Sequence, residues 1–354
     1  MLYRENGQFK STYASDQQIL PILQDRVFMV ALLAFAFGVA PFVVSDYVFL
    51  SLLIPFLILA IAAIGLNLLV GYCGQISIGH AAFMAVGAYA AYNLALRLPQ
   101  LNFLVVLVLA GLIAAVAGMV FGIPSLRIKG LYLAVATLAA QFFMDWLFAR
   151  VKWFTNYASS GSVSTAPIEM FGWKIDTPAE KYLFLLGVAV VFTLIAKNLV
   201  RGHLGRSWMA MRDMDVAAEV IGIRPVYAKL TAFGVSAFYV GVAGALWGFI
   251  YLGAWEPLAF NLNLSLNLLF MIIIGGMGSL LGSFFGAAFI VVLPILLDQV
   301  PLWLGVPIST AMAAHLASMI FGALIVFFLI VEPHGLARLW AIGKEKLRLW
   351  PFPH

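Results

Sequence analysis

Three short clusters hold the polar side chains that most sharply interrupt this apolar sequence. Gly74-Gln75-Ile-Ser77-Ile-Gly79-His80 sets an amide, a hydroxyl and an imidazole between glycines. Thr137, Gln141 and Asp145 recur every four residues, which places them on one face of a helix. Gly276-Met-Gly278-Ser279-Leu-Leu-Gly282 is a second glycine-rich interruption. None of these spacings builds a bond-breaking centre. A zinc site needs several ligands in reach, and none is evident around His80. The chain has no Gly-x-x-x-x-Gly-Lys-Ser/Thr to cradle a nucleotide, no His-Glu-x-x-His and no Gly-x-Ser-x-Gly. No strand and ribose-binding acid frame Gly276–Gly282 as a dinucleotide loop. The chemistry that remains is non-covalent: hydrogen bonds to freed backbone, or to a polar solute in passage. No catalytic residue, metal or cofactor is expected.

The medium in which these groups sit follows from composition. The 354 residues are 64% hydrophobic and only 10% charged, against about 25% charged in soluble domains. That is a polytopic membrane protein. The net charge of +5 is no nucleic-acid footprint, because the basic residues lie mostly in loops and tails, where topology accounts for them. The one cysteine, Cys73, excludes an internal disulfide and reads as a small buried residue. Residues 1–26 mix Arg4, Glu5, Lys10, Asp16, Asp25 and Arg26 ahead of any apolar run, which is not the layout of a cleaved signal.

A glycine-broken helix in lipid leaves N–H and C=O groups that must face protein or a water-filled cavity. Gly71–Ala91 therefore reads as a broken or re-entrant element near a polar route, with its helix at His80–Leu96 and His80 bonding at the break. The expected fold is all-α, with about ten transmembrane helices on a ~20-residue window. They are Val27–Val44, Val48–Val70, His80–Leu96, Leu101–Gly122, Leu131–Ala149, Tyr182–Ala196, Leu230–Leu252, Leu264–Ile274, which is too short to cross alone and runs into the glycine-broken Gly275–Gly282, Ser283–Leu297 and Met312–Val331. The two glycine-broken elements resemble each other, and such pairs can mark an internal repeat with a pathway at its interface. The domains follow: an N-terminal tail over 1–26, a membrane domain over 27–331 and an interfacial tail over 332–354. Within the membrane domain, loop 150–181 lies outside and loop 197–229 inside. With the N-terminus inside, most of the 20 Lys and Arg fall on inside segments, so both termini are expected in the cytoplasm.

Within loop 197–229, Ser207 is a candidate N-cap, Gly222 a candidate C′ residue and Pro225 a stop. Between them Trp208, Met211, Met214, Ala218 and Ile221 form an apolar stripe, with Arg212, Asp215 and Glu219 on the polar side. Such a helix suits a partner's groove, or lies on its own membrane domain. The Thr137–Gln141–Asp145 stripe lines a transport path, or else Thr137 bonds its own backbone and Asp145 sits at the outer interface near Arg150.

Asn67-Leu-Leu-Val-Gly71-Tyr, Gly74-Gln-Ile-Ser-Ile-Gly-His-Ala-Ala-Phe83, Arg127-Ile-Lys-Gly-Leu-Tyr-Leu-Ala134, Ile274-Gly-Gly-Met-Gly-Ser279 and Glu332-Pro-His-Gly-Leu336 stand in this order. With Asp215, Ala217, Ala218 and Gly222, this series resembles the LivM-type permease of branched-chain amino acid ABC importers. The resemblance implies an inner-membrane translocation subunit that hydrolyses no ATP itself. Its implied partners are a LivH-type second permease, two ABC ATPase subunits and a periplasmic substrate-binding protein, with a small amino acid as substrate. It also implies that Trp208, Met211, Met214, Asp215, Ala217, Ala218, Glu219 and Gly222 form the helix that couples to an ATPase. Two departures stand out: Gln141 and Phe142 follow Thr137-Leu-Ala-Ala where the family often has a glutamate, and Val216 replaces the glutamate of the loop motif. The first leaves a urea, amide or other small carboxylate importer as the alternative. An ion-coupled secondary transporter would need acids deep in the spans, and only Asp145 approaches that.

Overall fold

The computed structural model describes residue 12 and residues 23–128, 130–158, 161–165, 168–170, 173–303 and 335–349, with scattered positions between 312 and 330. The N-terminal tail before residue 23 except Thr12, Lys129, the expected span Met312–Val331 as a continuous element, and Glu332-Pro-His334 lie outside the described residues.

The described chain is mostly helical. Helix α1 covers Leu23–Gly38, and α2 covers Ile54–Asn67 within a continuous stretch Asp46–Tyr72 that ends in a π-helical turn. Then come α3 (His80–Arg97), α4 (Phe103–Gly122), α5 (Leu131–Arg150) and α6 (Pro178–Arg201). Two surface helices follow, α7 (His203–Asp213) and α8 (Asp215–Val220). The chain returns through α9 (Pro225–Leu246), α10 (Leu262–Gly275), α11 (Leu280–Trp303) and α12 (Gly335–Leu349). Among the described residues, six helices are long and apolar enough to cross a membrane: Asp46–Tyr72, Phe103–Leu126, Leu131–Arg150, Pro178–Arg201, Pro225–Leu252 and Pro257–Gly275.

Local chemistry fixes several boundaries. Thr177 and Glu180 form a reciprocal capping box around Pro178, so α6 begins four residues before the expected Tyr182. Asn102 and Asn261 cap α4 and α10 by accepting from Leu104 and Leu264 N–H. Loop 150–181 is not all turn: β1 (Val163–Ser164) pairs antiparallel with β4 (Ala254–Trp255), and β2 (Ile168–Met170) pairs with β3 (Trp173–Ile175).

Helix α9 is the centre of the packing and touches α2, α3 and α4. Its small residues make that possible. A Cβ at Gly87 would collide with the Gly241 carbonyl, and one at Gly244 with the Met84 carbonyl, so α3 and α9 meet backbone to backbone. Gly118 and Gly122 of α4 face Ala237 and Phe233 in the same way. On the far side of α4, Leu104, Val108, Leu112, Val116 and Val120 recur every four residues and form an exposed apolar stripe. Gly244→Val should therefore separate α3 from α9 and cost about 1–3 kcal/mol, seen as a lower unfolding temperature in detergent. Gly187→Ala on α6, with nothing within 4 Å of the added carbon, should leave that temperature unchanged or slightly raised.

Candidate functional site

Helix α3 starts at His80 with no capping side chain of its own. The first N–H groups of a helix lack intrahelical acceptors, and lipid offers none. Two other helices supply them. Thr137 Oγ1 accepts from the Ile78 N–H at 3.0 Å, Ser265 Oγ from Ala81 N–H at 2.8 Å and Gln141 Oε1 from Ala82 N–H at 2.8 Å. The Gln141 Oε1 also accepts from Ser265 Oγ at 3.0 Å, while its Nε2 donates to Asp145 Oδ1 at 2.9 Å and to the Phe260 carbonyl at 2.8 Å. Thr137 and Gln141 are buried. Thr137 bonds its own backbone as well, at Ala134. Gly79 has no room for a side chain against the Thr137 carbonyl. His80, also buried, meets Ser77 Oγ through Nδ1 at 2.8 Å and Ser236 Oγ of α9 through Nε2 at 2.9 Å. The imidazole is a brace between α3 and α9.

A second set of bonds joins the two glycine-broken elements. Asn67, at the end of α2, accepts from Gly278 N–H at 2.8 Å and donates to the Ser279 carbonyl at 2.8 Å and Ser283 Oγ at 2.9 Å. Gly276 and Gly278 have φ of +123° and +77°, and Ser279 Oγ accepts from Gly282 N–H to start α11. The Gly71 carbonyl is taken by Arg212 Nη1 at 2.9 Å. Gly74, at φ +71°, lies against the Arg212 side chain. Gln75 flanks a cleft of about 370 Å³ bounded also by Gly74, Gly130, Arg212, Val216 and Lys229.

The surface helix departs from expectation. Ser207 is not an N-cap: α7 begins at His203, and the Ser207 hydroxyl donates to the His203 carbonyl inside it. Nor is Ser207–Gly222 one helix. Met214 takes extended φ and ψ of −154° and 95°, which separates α7 from α8. The break divides the stripe. Trp208, Met211 and Ala218 are buried against the membrane domain, where Trp208 Nε1 donates to Thr231 Oγ1 of α9 at 3.2 Å. Met214, Val216, Val220 and Ile221 remain 70–83% exposed. Asp215 starts α8, with Ala217 and Glu219 on its open side. Gly222, at φ +91°, closes it, the N–H groups of Gly222 and Ile223 donating to Glu219 and Ala218 carbonyls.

The structure thus brings Gly79, His80, Thr137, Gln141 and Asp145 into one network, and Gly74, Gly276, Gly278 and Ser279 into another that reaches α7. Sequence reasoning missed Ser236, Ser265 and Ser283. Each is a hydroxyl among mostly apolar neighbours, and only the need of a facing helix break for partners signals it. Replacing Gln141 by Leu strands the Ala82 N–H and the Ser265 hydroxyl, and should cost about 1–3 kcal/mol. Asp145→Asn keeps an acceptor for Gln141 and should stay within about 0.5 kcal/mol. Unfolding in detergent of the two purified variants checks the order.

The family model described as branched-chain amino acid transport system / permease component matches residues 48–329. The high-affinity branched-chain amino acid transport system permease protein LivM of Escherichia coli (strain K12) is 31% identical, over 89% of this chain and 75% of that protein. The protein of the same name from Salmonella typhimurium is 30% identical over the same shares. A probable branched-chain amino acid transport permease protein LivM of Methanocaldococcus jannaschii is 21% identical, over 78% of this chain and 89% of that protein. No solved structure matches the chain. A polytopic bundle with glycine-broken helices, matched by one family model over residues 48–329, belongs to the permease components of branched-chain amino acid transport systems.

Proposed function

We propose that this chain is the translocation subunit of an ATP-driven importer for branched-chain or related amino acids in the inner membrane. Separate ATPase subunits supply the energy, a LivH-type permease completes the membrane portion, and a periplasmic protein selects and delivers the solute. Family membership and the names of the relatives support the solute class. Both termini face the cytoplasm in this reading. The full bundle has about ten spans arranged as two related halves. Their pairing is supported by the bonds of Asn67 with Gly278 and Ser279, which put the two glycine-broken elements side by side.

The observation that carries the reading is α8. Val216 and Val220, with Met214 at its entry and Ile221 at its end, are exposed on a six-residue helix between the membrane helices α6 and α9. Lipid does not account for an apolar face on so short and charged a segment; a hydrophobic groove on a partner does. Trp208 and Met211 keep α7 fixed to the membrane domain and the buried Ala218 holds α8 beside it, so α8 presents its outer face from a firm base. An ion-coupled transporter is less well supported, because the carboxylate of Asp145 is engaged by Gln141.

Val220→Asp and Ala217→Arg alter the exposed surface of α8 without entering the core. Each should leave the folded permease intact, weaken its co-purification with the ATPase subunits by about tenfold or more, and abolish uptake. Wild-type uptake and ATPase association in both variants would rule the docking surface out.

A further inference from the structure

Arg212 stands where the surface helices meet both glycine-broken elements. Its Nη1 donates to the Gly71 carbonyl at 2.9 Å, and its Nε holds Asp213 Oδ1 at 2.9 Å. Those two bonds fix the guanidinium at both edges. A Cβ at Gly74 would come within 2.9 Å of the Arg212 Cγ, and one at Gly278 within 3.4 Å of its Nη1. Both glycines have positive φ, so a side chain at either would be strained, and one at Gly74 would also crowd the arginine. From Gly71 the contacts run on without a gap. Asn67 lies one helical turn earlier, against Gly71, and binds Gly278, Ser279 and Ser283. On the other side, the helix break at Met214 follows Asp213 directly, and the exposed apolar face of α8 begins there. The Arg212 side chain is 39% exposed, so its bond to Gly71 lies within reach of water and can exchange, unlike the buried bonds of Gln141.

We propose that Arg212 is a positioning residue that couples the placement of α8 to the two glycine-broken elements. With α8 at rest, Arg212 clamps the Gly71 carbonyl and, through Asn67, keeps Gly71–Gly79 and Gly276–Gly282 in one arrangement. Displacement of α8 pulls on Asp213 and Arg212, releases the Gly71 carbonyl and frees the pair to rearrange. This rests on the reading of α8 as the surface that an ATPase moves. It adds the route by which that movement enters the membrane domain, through one arginine–carbonyl bond rather than through rigid motion of α7, which Trp208 anchors to α9.

Two measurements test it on Arg212→Ala, Arg212→Lys and the wild type. The first is backbone hydrogen exchange of the full-length chain in lipid nanodiscs without partners. Arg212→Ala should speed exchange across residues 72–79 by about tenfold, the loss of one charge-assisted bond, and Arg212→Lys, which keeps a donor, should restore most of the protection. The second is uptake per ATP hydrolysed in vesicles holding the permease pair with its ATPases and binding protein. Arg212→Ala should assemble and hydrolyse ATP while uptake per ATP falls about tenfold, with Arg212→Lys in between. Unchanged exchange together with unchanged uptake per ATP overturns the proposal. So does a defect confined to assembly, which would make Arg212 a docking residue. If the wild-type chain binds no ATPase, the docking reading fails instead, and the exchange experiment alone decides whether Arg212 holds the glycine-broken elements.

Discussion

The N–H groups at the start of α3 must find acceptors inside the protein. Helix α3 begins after a glycine-broken segment, and its first residues, His80, Ala81 and Ala82, are buried, so each stranded donor there would cost about 1–3 kcal/mol. Thr137, Gln141 and Ser265 answer this demand from α5 and α10. The arrangement of the bundle follows from it. Helices α5 and α10 have to stand beside the α3 start, and Gly79 has to let the Thr137 carbonyl in. Helix α9 has to come close enough to α3 for Ser236 to reach His80. The small residues of the α3–α9 contact are the steric condition for that last bond.

This changes what the polar residues of the spans are for. The stripe of Thr137, Gln141 and Asp145 has the pattern of a pathway lining, yet its first two members are buried and saturated by bonds to the protein. A solute would have to displace those bonds to use them. The second set of bonds is different in kind. Asn67 joins the two broken elements by side chain to backbone contacts, and the Gly71 carbonyl is met by a partly exposed cation from a surface helix. One network is mostly buried; the other opens toward the face that carries α7 and α8. Rigidity at the first and exchange at the second are what a membrane protein needs if part of it is to move while the rest keeps its backbone paired.

Much of the fold was legible because membrane helices announce themselves by length and are punctuated by glycine, proline and charge. The α3 and α5 boundaries fell within a residue of expectation for that reason. The start of α6 was misplaced although Thr177-Pro-Ala-Glu180 spelled a capping box. The break at Met214 had no such mark: neither glycine nor proline stands there, and the apolar spacing runs straight through it. The spacing persists because two surfaces ask for apolar residues, the membrane domain from Trp208, Met211 and Ala218, and the open side from Met214, Val220 and Ile221. A periodic pattern records that a face is apolar, not which body it faces. Ser236 and Ser265 were illegible for a related reason, since a hydroxyl's role is set by a backbone break on another helix.

In the proposed docking of α8, the division of the surface segment lets a short element receive force without losing its place. Had all the apolar side chains between Trp208 and Ile221 faced outward, nothing would hold the segment to the membrane domain. Had all faced inward, nothing would be left for a partner. With Trp208 fixed to Thr231 and α8 closed by Gly222, the extended backbone at Met214 becomes the place where the two helices can change their angle. Arg212 lies within two residues of that place, and its bond to Gly71 crosses from the surface helices to the broken end of the α2 stretch. In the proposed coupling, a tilt of α8 is felt first at this partly exposed contact, rather than at the buried bonds that Ser265 and Gln141 make to the start of α3. The sequence separation of 141 residues between Arg212 and Gly71 shows why no local pattern could have signalled the link: it exists only once the bundle has brought both glycine-broken elements to the same face.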